Sequence, residues 1–82
     1  MAYVVMERQY DAPVSDAELA AMNERIGTCL DINEVAFVQT LASLDRRRFI
    51  CTFEASDAAA IRRVMASARI DYARIWTASR LG

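Results

Sequence analysis

The sequence predicts an α+β domain with the element order β-α-β-β-α-β: a four-stranded antiparallel sheet carrying both helices on one face. Three observations lead there. The chain opens on an apolar, β-forming stretch, Val4-Val5-Met6-Glu7-Arg8-Gln9-Tyr10. Two later segments repeat apolar residues at three- and four-residue intervals, the spacing of an amphipathic helix. Between them, two β-rich runs flank a short polar turn, which is the pattern of a hairpin.

The elements follow in order. Asp11-Ala12-Pro13-Val14 ends the first strand, because Pro13 has no N–H to give a ladder. Ser15 stands three residues before Glu18, the spacing of a capping box, so the first helix is expected to start at Asp16. Leu19, Met22, Ile26 and Cys29/Leu30 form its apolar stripe, and Asp31-Ile32-Asn33 ends it. Glu34 to Leu44 reads as the second strand, Asp45-Arg46-Arg47 as the turn, and Arg48 to Glu54 as the third strand. The turn reads as solvated charge; the run of three arginines from the turn into the third strand, Arg46 to Arg48, also has the chemistry of an anion-binding tip. Ser56 or Asp57 caps a second helix that runs to about Ala68, with Ile61, Val64/Met65 and Ala68 inward and Arg62, Arg63 and Arg69 outward. Asp71 to Ala78 supplies the fourth strand. This order is the ferredoxin-like arrangement, with the first and third strands central and one face of the sheet left without helices.

Composition narrows the class. The 82 residues make one domain, residues 1–82, of a size at which a single core is only just sufficient. A hydrophobic share of 55% on so short a chain favours pairing with a second copy. The net charge of -1 and the isoelectric point near 5.3 exclude nucleic acid as a partner. No apolar run reaches the roughly 18 residues of a membrane span, and the first residues lack the basic-then-apolar order of a signal peptide. Cys29 and Cys51 have no CxxC spacing and read as reduced thiols, so the expected location is the cytoplasm.

Strand alternation sorts side chains into two sets. Val4, Met6, Ala36, Val38, Ile50, Thr52, Ala73 and Ile75 are expected under the helices, with Arg8 and Glu54 toward strand ends. Val5, Glu7, Phe37, Gln39, Leu41, Phe49, Cys51, Phe53, Tyr72, Arg74 and Trp76 are expected on the open face. The second set mixes aromatic rings with a few polar groups, the make-up of a ligand pocket or a dimer interface. Glu7 is its central question. It either pairs with Arg74 on the neighbouring strand or stands in a pocket as a general acid/base. Glu54 is expected to accept backbone N–H groups or to pair with Arg8.

Val5-Met6-Glu7-Arg8, the run into Ser43-Leu44-Asp45, and Cys51-Thr52-Phe53-Glu54-Ala55-Ser56-Asp57 together resemble a family of small bacterial proteins catalogued as domain of unknown function 4242. The resemblance spans almost the whole chain, with matching positions at Glu7, Arg8, Cys51, Glu54 and Asp57. It implies a ferredoxin-like dimer, and through one branch of the family it implies nickel. The departures are Phe37 where the family often has Trp, Ser56 where it often has Pro, no glycine after Asp45 and, above all, no histidine. Nickel sites favour imidazole or thiolate, so without histidine the metal ligands reduce to Glu7 and Cys51.

The sequence therefore points to a small homodimeric binding protein that holds a small ligand, or a metal ion, at the aromatic sheet face. The ligand-binding residues are Phe37, Gln39, Cys51, Phe53, Tyr72, Arg74 and Trp76. Two alternatives stand beside it: a dimeric α/β-barrel-type enzyme with Glu7 as general acid/base, and a purely structural or regulatory dimer. Cys51 has no histidine to activate it as a nucleophile, and only Gly27 and Gly82 occur, so no phosphate-cradling glycine loop exists.

Overall fold

Both helix starts are set by their caps. A computed structural model describes the chain over residues 1–82. In it Ser15 Oγ accepts the Glu18 N–H at 3.1 Å and Glu18 Oε1 accepts the Ser15 N–H at 3.3 Å, closing the expected capping box on α1 (Asp16–Ile32). Asp57, rather than Ser56, caps α2 (Ala58–Ala68), its carboxylate accepting the Ala60 N–H at 2.9 Å. Arg69 ends α2 in the left-handed region at φ 58°, and Arg25 Nε on α1 reaches across to the Ala68 carbonyl at 2.9 Å. That bond satisfies one of the carbonyls left over at the helix end and ties the two helices together.

The strands are β1 (Ala2–Gln9), β2 (Ala36–Ala42), β3 (Arg48–Ala55) and β4 (Arg74–Ala78). All pairings are antiparallel, in the spatial order β2-β3-β1-β4, so β1 and β3 are central as expected. The fold is the ferredoxin-like α+β arrangement. Two strands are shorter than the sequence suggests. β2 stops before Ser43, whose hydroxyl is already committed to the turn, and β4 begins only at Arg74, leaving Tyr72 in the loop before it.

The turn after β2 is built by side chains in place of glycine. Ser43 Oγ donates to Asp45 Oδ1 at 2.6 Å and accepts the Arg48 N–H at 3.0 Å, while Asp45 Oδ1 accepts the Arg47 N–H at 3.2 Å. Arg46 takes the left-handed conformation at φ 61°, and its guanidinium meets Asp16 at 2.7 Å, pinning the turn to the start of α1. The hydroxyl of Ser43 first, and the backbone N–H of Arg47 second, hold the Asp45 carboxyl below its ordinary value.

The core lies between sheet and helices. Val4, Met6, Cys51, Phe53, Ala55, Ile61, Val64 and Met65 are buried there, and burying a side chain the size of Phe53 or Met65 stabilises by about 1.5–3 kcal/mol. α2 sinks Ala60, Ile61, Val64, Met65 and Ala68, whereas α1 fully buries only Ile26. Under α1 a cavity of about 260 Å³ remains, lined by Ile26, Leu30, Phe37, Thr40, Cys51 and Phe53.

The register corrects the expected faces. β1 and β3 pair Val4 with Phe53, Met6 with Cys51 and Arg8 with Phe49. Directly opposed residues share a face, so Phe49, Cys51 and Phe53 lie under the helices with Met6 and are each at most 3% exposed. Ala36, Ile50 and Thr52, expected under the helices with Glu54 toward the strand end, lie with Glu54 on the open face. Phe37 also turns to the helix side, edge-on to Phe53 with ring centroids 5.9 Å apart. An irregularity between Phe37 and Gln39 shifts the register of β2, so Gln39 and Leu41 return to the open face as expected.

Arg8 is the anomaly of the core, at 2% exposure with no carboxylate in contact. Its guanidinium lies over the Phe49 ring, 5.2 Å from the centroid, and donates to Tyr10 Oη at 3.4 Å. Its other neighbours are sulfur atoms, Met22 Sδ and Cys51 Sγ, both at 3.7 Å. Its Nε has no partner. The expected pairing of Arg8 with Glu54 does not form: Glu54 pairs with Tyr3 at the other end of β1 and faces the other way.

Two outcomes follow from this packing. A buried cation satisfied only by an aromatic face, a phenol and sulfur gains little over an apolar group of like volume. In urea melts Arg8→Met is expected to hold or raise the unfolding free energy, while Arg8→Ala, which empties the space, lowers it by about 2–4 kcal/mol. The turn gives a pH dependence. Because the folded state holds the Asp45 carboxyl below its ordinary value, the contribution is complete above about pH 4 and is lost as pH falls through the folded value. Thermal melts across the acid range are expected to show this acid-side loss, and Ser43→Ala to reduce it.

Candidate functional site

The open face is built in cross-strand rows. One row runs Leu41, Ile50, Glu7, Arg74, and the next runs Gln39, Thr52, Val5, Trp76. Beyond the first row Gln9 pairs with Arg48, and beyond the second Tyr3 lies between Glu54 and Ala78. No helix covers this face. Leu41, Ile50 and Trp76 are 57%, 40% and 45% exposed, while Val5 and Thr52, at the centre of the second row, are buried by their neighbours.

Glu7 sits in the middle and is held by β4. Trp76 Nε1 donates to Glu7 Oε2 at 2.8 Å, and Arg74 Nε approaches the same oxygen at 3.7 Å. The Arg74 pairing expected from strand order is therefore present, although at this distance and exposure such a pair contributes only about 0.2–1 kcal/mol. Both neighbours use Oε2, so Oε1 is left to accept from outside. An open cavity of about 430 Å³ lies beside the carboxylate, lined by Glu7, Gln9, Leu41, Arg48, Ile50 and Arg74 among others.

At the opposite end of the face the Arg80 guanidinium lies over the Tyr3 ring, 4.4 Å from its centroid. The Thr52 hydroxyl, and after it Arg80, hold the Tyr3 phenol below its ordinary value.

Of the residues expected to bind ligand, the fold brings Gln39, Arg74 and Trp76 together with Glu7. Phe37, Cys51 and Phe53 are corrected to the helix side, where they line the cavity under α1 instead. Tyr72 is 39% exposed in the loop before β4 and does not belong to the rows. The open face is thus not the expected aromatic one; its rings are Tyr3 and Trp76, set among aliphatic and polar groups. Sequence reasoning missed Gln9, Arg48 and Ile50. The signal was present in β3, where Phe49, Cys51, Phe53 and Ala55 alternate with Arg48, Ile50, Thr52 and Glu54. The phase holding both phenylalanines buries more apolar surface than the phase holding Arg48 and Glu54.

The residues do not fit a nickel centre within one chain. Glu7 and Cys51 leave β1 and β3 on opposite faces, and Cys29 lies on α1. No three His, Cys, Asp or Glu side chains converge on a point that could hold a metal ion. The donor set expected from Glu7 and Cys51 is thereby taken apart.

The contact between Glu7 and Trp76 is directly measurable, because Trp76 is the single tryptophan. Glu7→Ala is expected to shift Trp76 emission by freeing the indole N–H. The stability change should stay within about 1 kcal/mol, as for partly exposed polar groups. A loss of folding, seen by circular dichroism, would instead make Glu7 a structural necessity.

Comparison with curated proteins finds no match. Among solved structures, the crystal structure of SCO4226 from Streptomyces coelicolor A3(2) is similar to this one with a TM-score of 0.87 at 17% sequence identity. The likeness covers 99% of this chain and 100% of that one. It bears on the fold. A family model described as nickel responsive protein SCO4226-like matches residues 3–77. The positions that carry the resemblance noted in the sequence, from Glu7 to Asp57, fall inside that match. No helix is long and apolar enough to cross a membrane. A match over nearly the full length settles the family: the chain belongs to the SCO4226-like family.

Proposed function

We propose that the protein works as a homodimer whose open sheet faces meet and enclose a small ligand in the groove beside Glu7. The observation that carries this reading is the state of Glu7. It stands at the centre of an uncovered sheet face, oriented by Trp76 and Arg74, with one oxygen free toward a cavity of about 430 Å³. The wall of that cavity is mixed, with Leu41, Phe49 and Ile50 beside charged and polar groups, more polar than the usual small-molecule pocket and suited to a ligand that is itself partly charged. Leu41, Ile50 and Trp76 on the same face supply the apolar contact area of an interface. The molecule is a slab of 33 × 30 × 17 Å, one helix layer on one sheet. Its broad side has room for the roughly 800 Å² that each partner buries in a stable interface.

The family description names a nickel response, and SCO4226 is the protein that gives the family its name. In this chain the donor chemistry supports an organic ligand better than a metal ion held by one subunit, because Glu7 stands alone among carboxylates and beside guanidinium groups. Light scattering coupled to gel filtration tests the assembly. The wild type is expected at twice the chain mass of 9.2 kDa, and Ile50→Arg at the mass of one chain. A monomeric wild type at micromolar concentration would sink the homodimer. Nickel titrated into untagged protein is expected to bind far below one ion per dimer; stoichiometric binding abolished by Glu7→Gln would replace the organic ligand with the metal.

A further inference from the structure

The cavity beside Glu7 carries a charge pattern that narrows the ligand it would take. Four charged residues line it, Glu7, Arg8, Arg48 and Arg74; the Arg8 side chain turns to the helix side and is buried in the core, which leaves Glu7, Arg48 and Arg74 as the charges of the open face. Arg48 lies on the open face opposite Gln9 and makes no ion pair with any carboxylate of the chain. Arg74 spends only a long contact of 3.7 Å on Glu7 and keeps a side chain 71% exposed. The cavity therefore holds one positive charge in excess, carried by a guanidinium fork that suits a carboxylate. The free Oε1 of Glu7 sets a second requirement, because it can only accept a hydrogen bond. Leu41 and Ile50, side by side in the same row, set the third, an aliphatic surface.

These three requirements exclude whole classes. A phosphate or a dicarboxylate would place a second negative charge near Glu7, which repels it. A bare cation would meet the two guanidinium groups. A neutral apolar molecule would leave Arg48 and Glu7 Oε1 without partners as the cavity closes.

Resting on the reading of the open face as a ligand site, we propose that the cavity binds a monocarboxylate with a hydroxyl or ammonium group on the adjacent carbon and an aliphatic tail. The carboxylate lies on Arg48, the neighbouring O–H or N–H donates to Glu7 Oε1, and the tail lies on Leu41 and Ile50. Arg74 and Trp76 hold the Glu7 carboxylate in place from the opposite side and serve as positioning residues.

Trp76 reports occupancy through its bond to Glu7, so fluorescence titration of the full-length protein is the test. The probes are leucine, 2-hydroxy-4-methylpentanoate, 4-methylpentanoate and leucinamide, with nickel chloride as a separate titrant. Leucine or the hydroxy acid is expected to change Trp76 emission saturably. Removing the donor (4-methylpentanoate), removing the carboxylate (leucinamide) or substituting Arg48→Ala is expected to weaken binding by about tenfold to a hundredfold, the worth of one charge-assisted hydrogen bond. Arg62→Ala, on the exposed side of α2, is expected to bind as the wild type does. Leucinamide binding as well as leucine, or Arg48→Ala binding unchanged, would overturn the ligand class while leaving the open-face site intact. Saturation by nickel alone would do the same. No response to any probe from a protein that is dimeric and folded would overturn the ligand class and the ligand site together. A monomer that still binds leucine through Arg48 would uphold this inference and remove only the dimer beneath it.

Discussion

Eight consecutive residue pairs join β1 to β3, and the pairing of Met6 with Cys51 assigns every side chain of the two central strands to one face. The alternation period of a strand is two, so the register leaves only one arrangement once a single pair is known. Met6, Cys51 and Phe53 go under the helices; Glu7, Ile50 and Thr52 go to the open side. The reason the register settles this way is apolar area. Phe49, Phe53 and Cys51 on one phase of β3 outweigh Ile50 and Thr52 on the other, and the helices cover one face only.

That choice separates two adjacent charges. Glu7 leaves β1 toward the open face, where solvent, Trp76 and Arg74 accommodate it. Arg8 leaves toward the core, where no carboxylate meets it. A guanidinium tolerates this better than an ammonium, being more weakly hydrated and able to lie on an aromatic ring. Phe49 provides that ring, and Tyr10, Met22 and Cys51 complete the shell with soft acceptors. The same shell explains the burial of Cys51, whose thiol also meets Thr40 Oγ1 at 3.3 Å.

The open face owes its chemistry to the outer strands as much as to β1. β4 is short, yet it places Arg74 directly opposite Glu7 and Trp76 opposite Val5, so one five-residue strand orients the central carboxylate. On the other side, the irregularity in β2 after Phe37 turns Phe37 inward and returns Gln39 and Leu41 outward. A strand without it would have continued the phase of Phe37 and placed Leu41 in the core. The turn that leads into β3, braced by Ser43, Asp45 and the ion pair of Arg46 with Asp16, then delivers Arg48 to the rim of the cavity.

The sequence by itself determined the elements and their order. Local chemistry does that work: the box of Ser15 and Glu18, the Asp57 cap, the apolar stripes of both helices and the polar turn all act within a few residues. It also determined the neighbourhood of Glu7 and Arg74, since strand order in this topology makes β1 and β4 adjacent. Only the tertiary structure decided which face each residue of β2 occupies and which phase of β1 goes with the phenylalanine phase of β3. Val4-Val5-Met6 is apolar in both phases and carries no parity, and a register irregularity of one residue in β2 leaves no mark in its composition. Register is a contest between whole faces over the helices that cover them, and it is settled only when sheet and helices pack together.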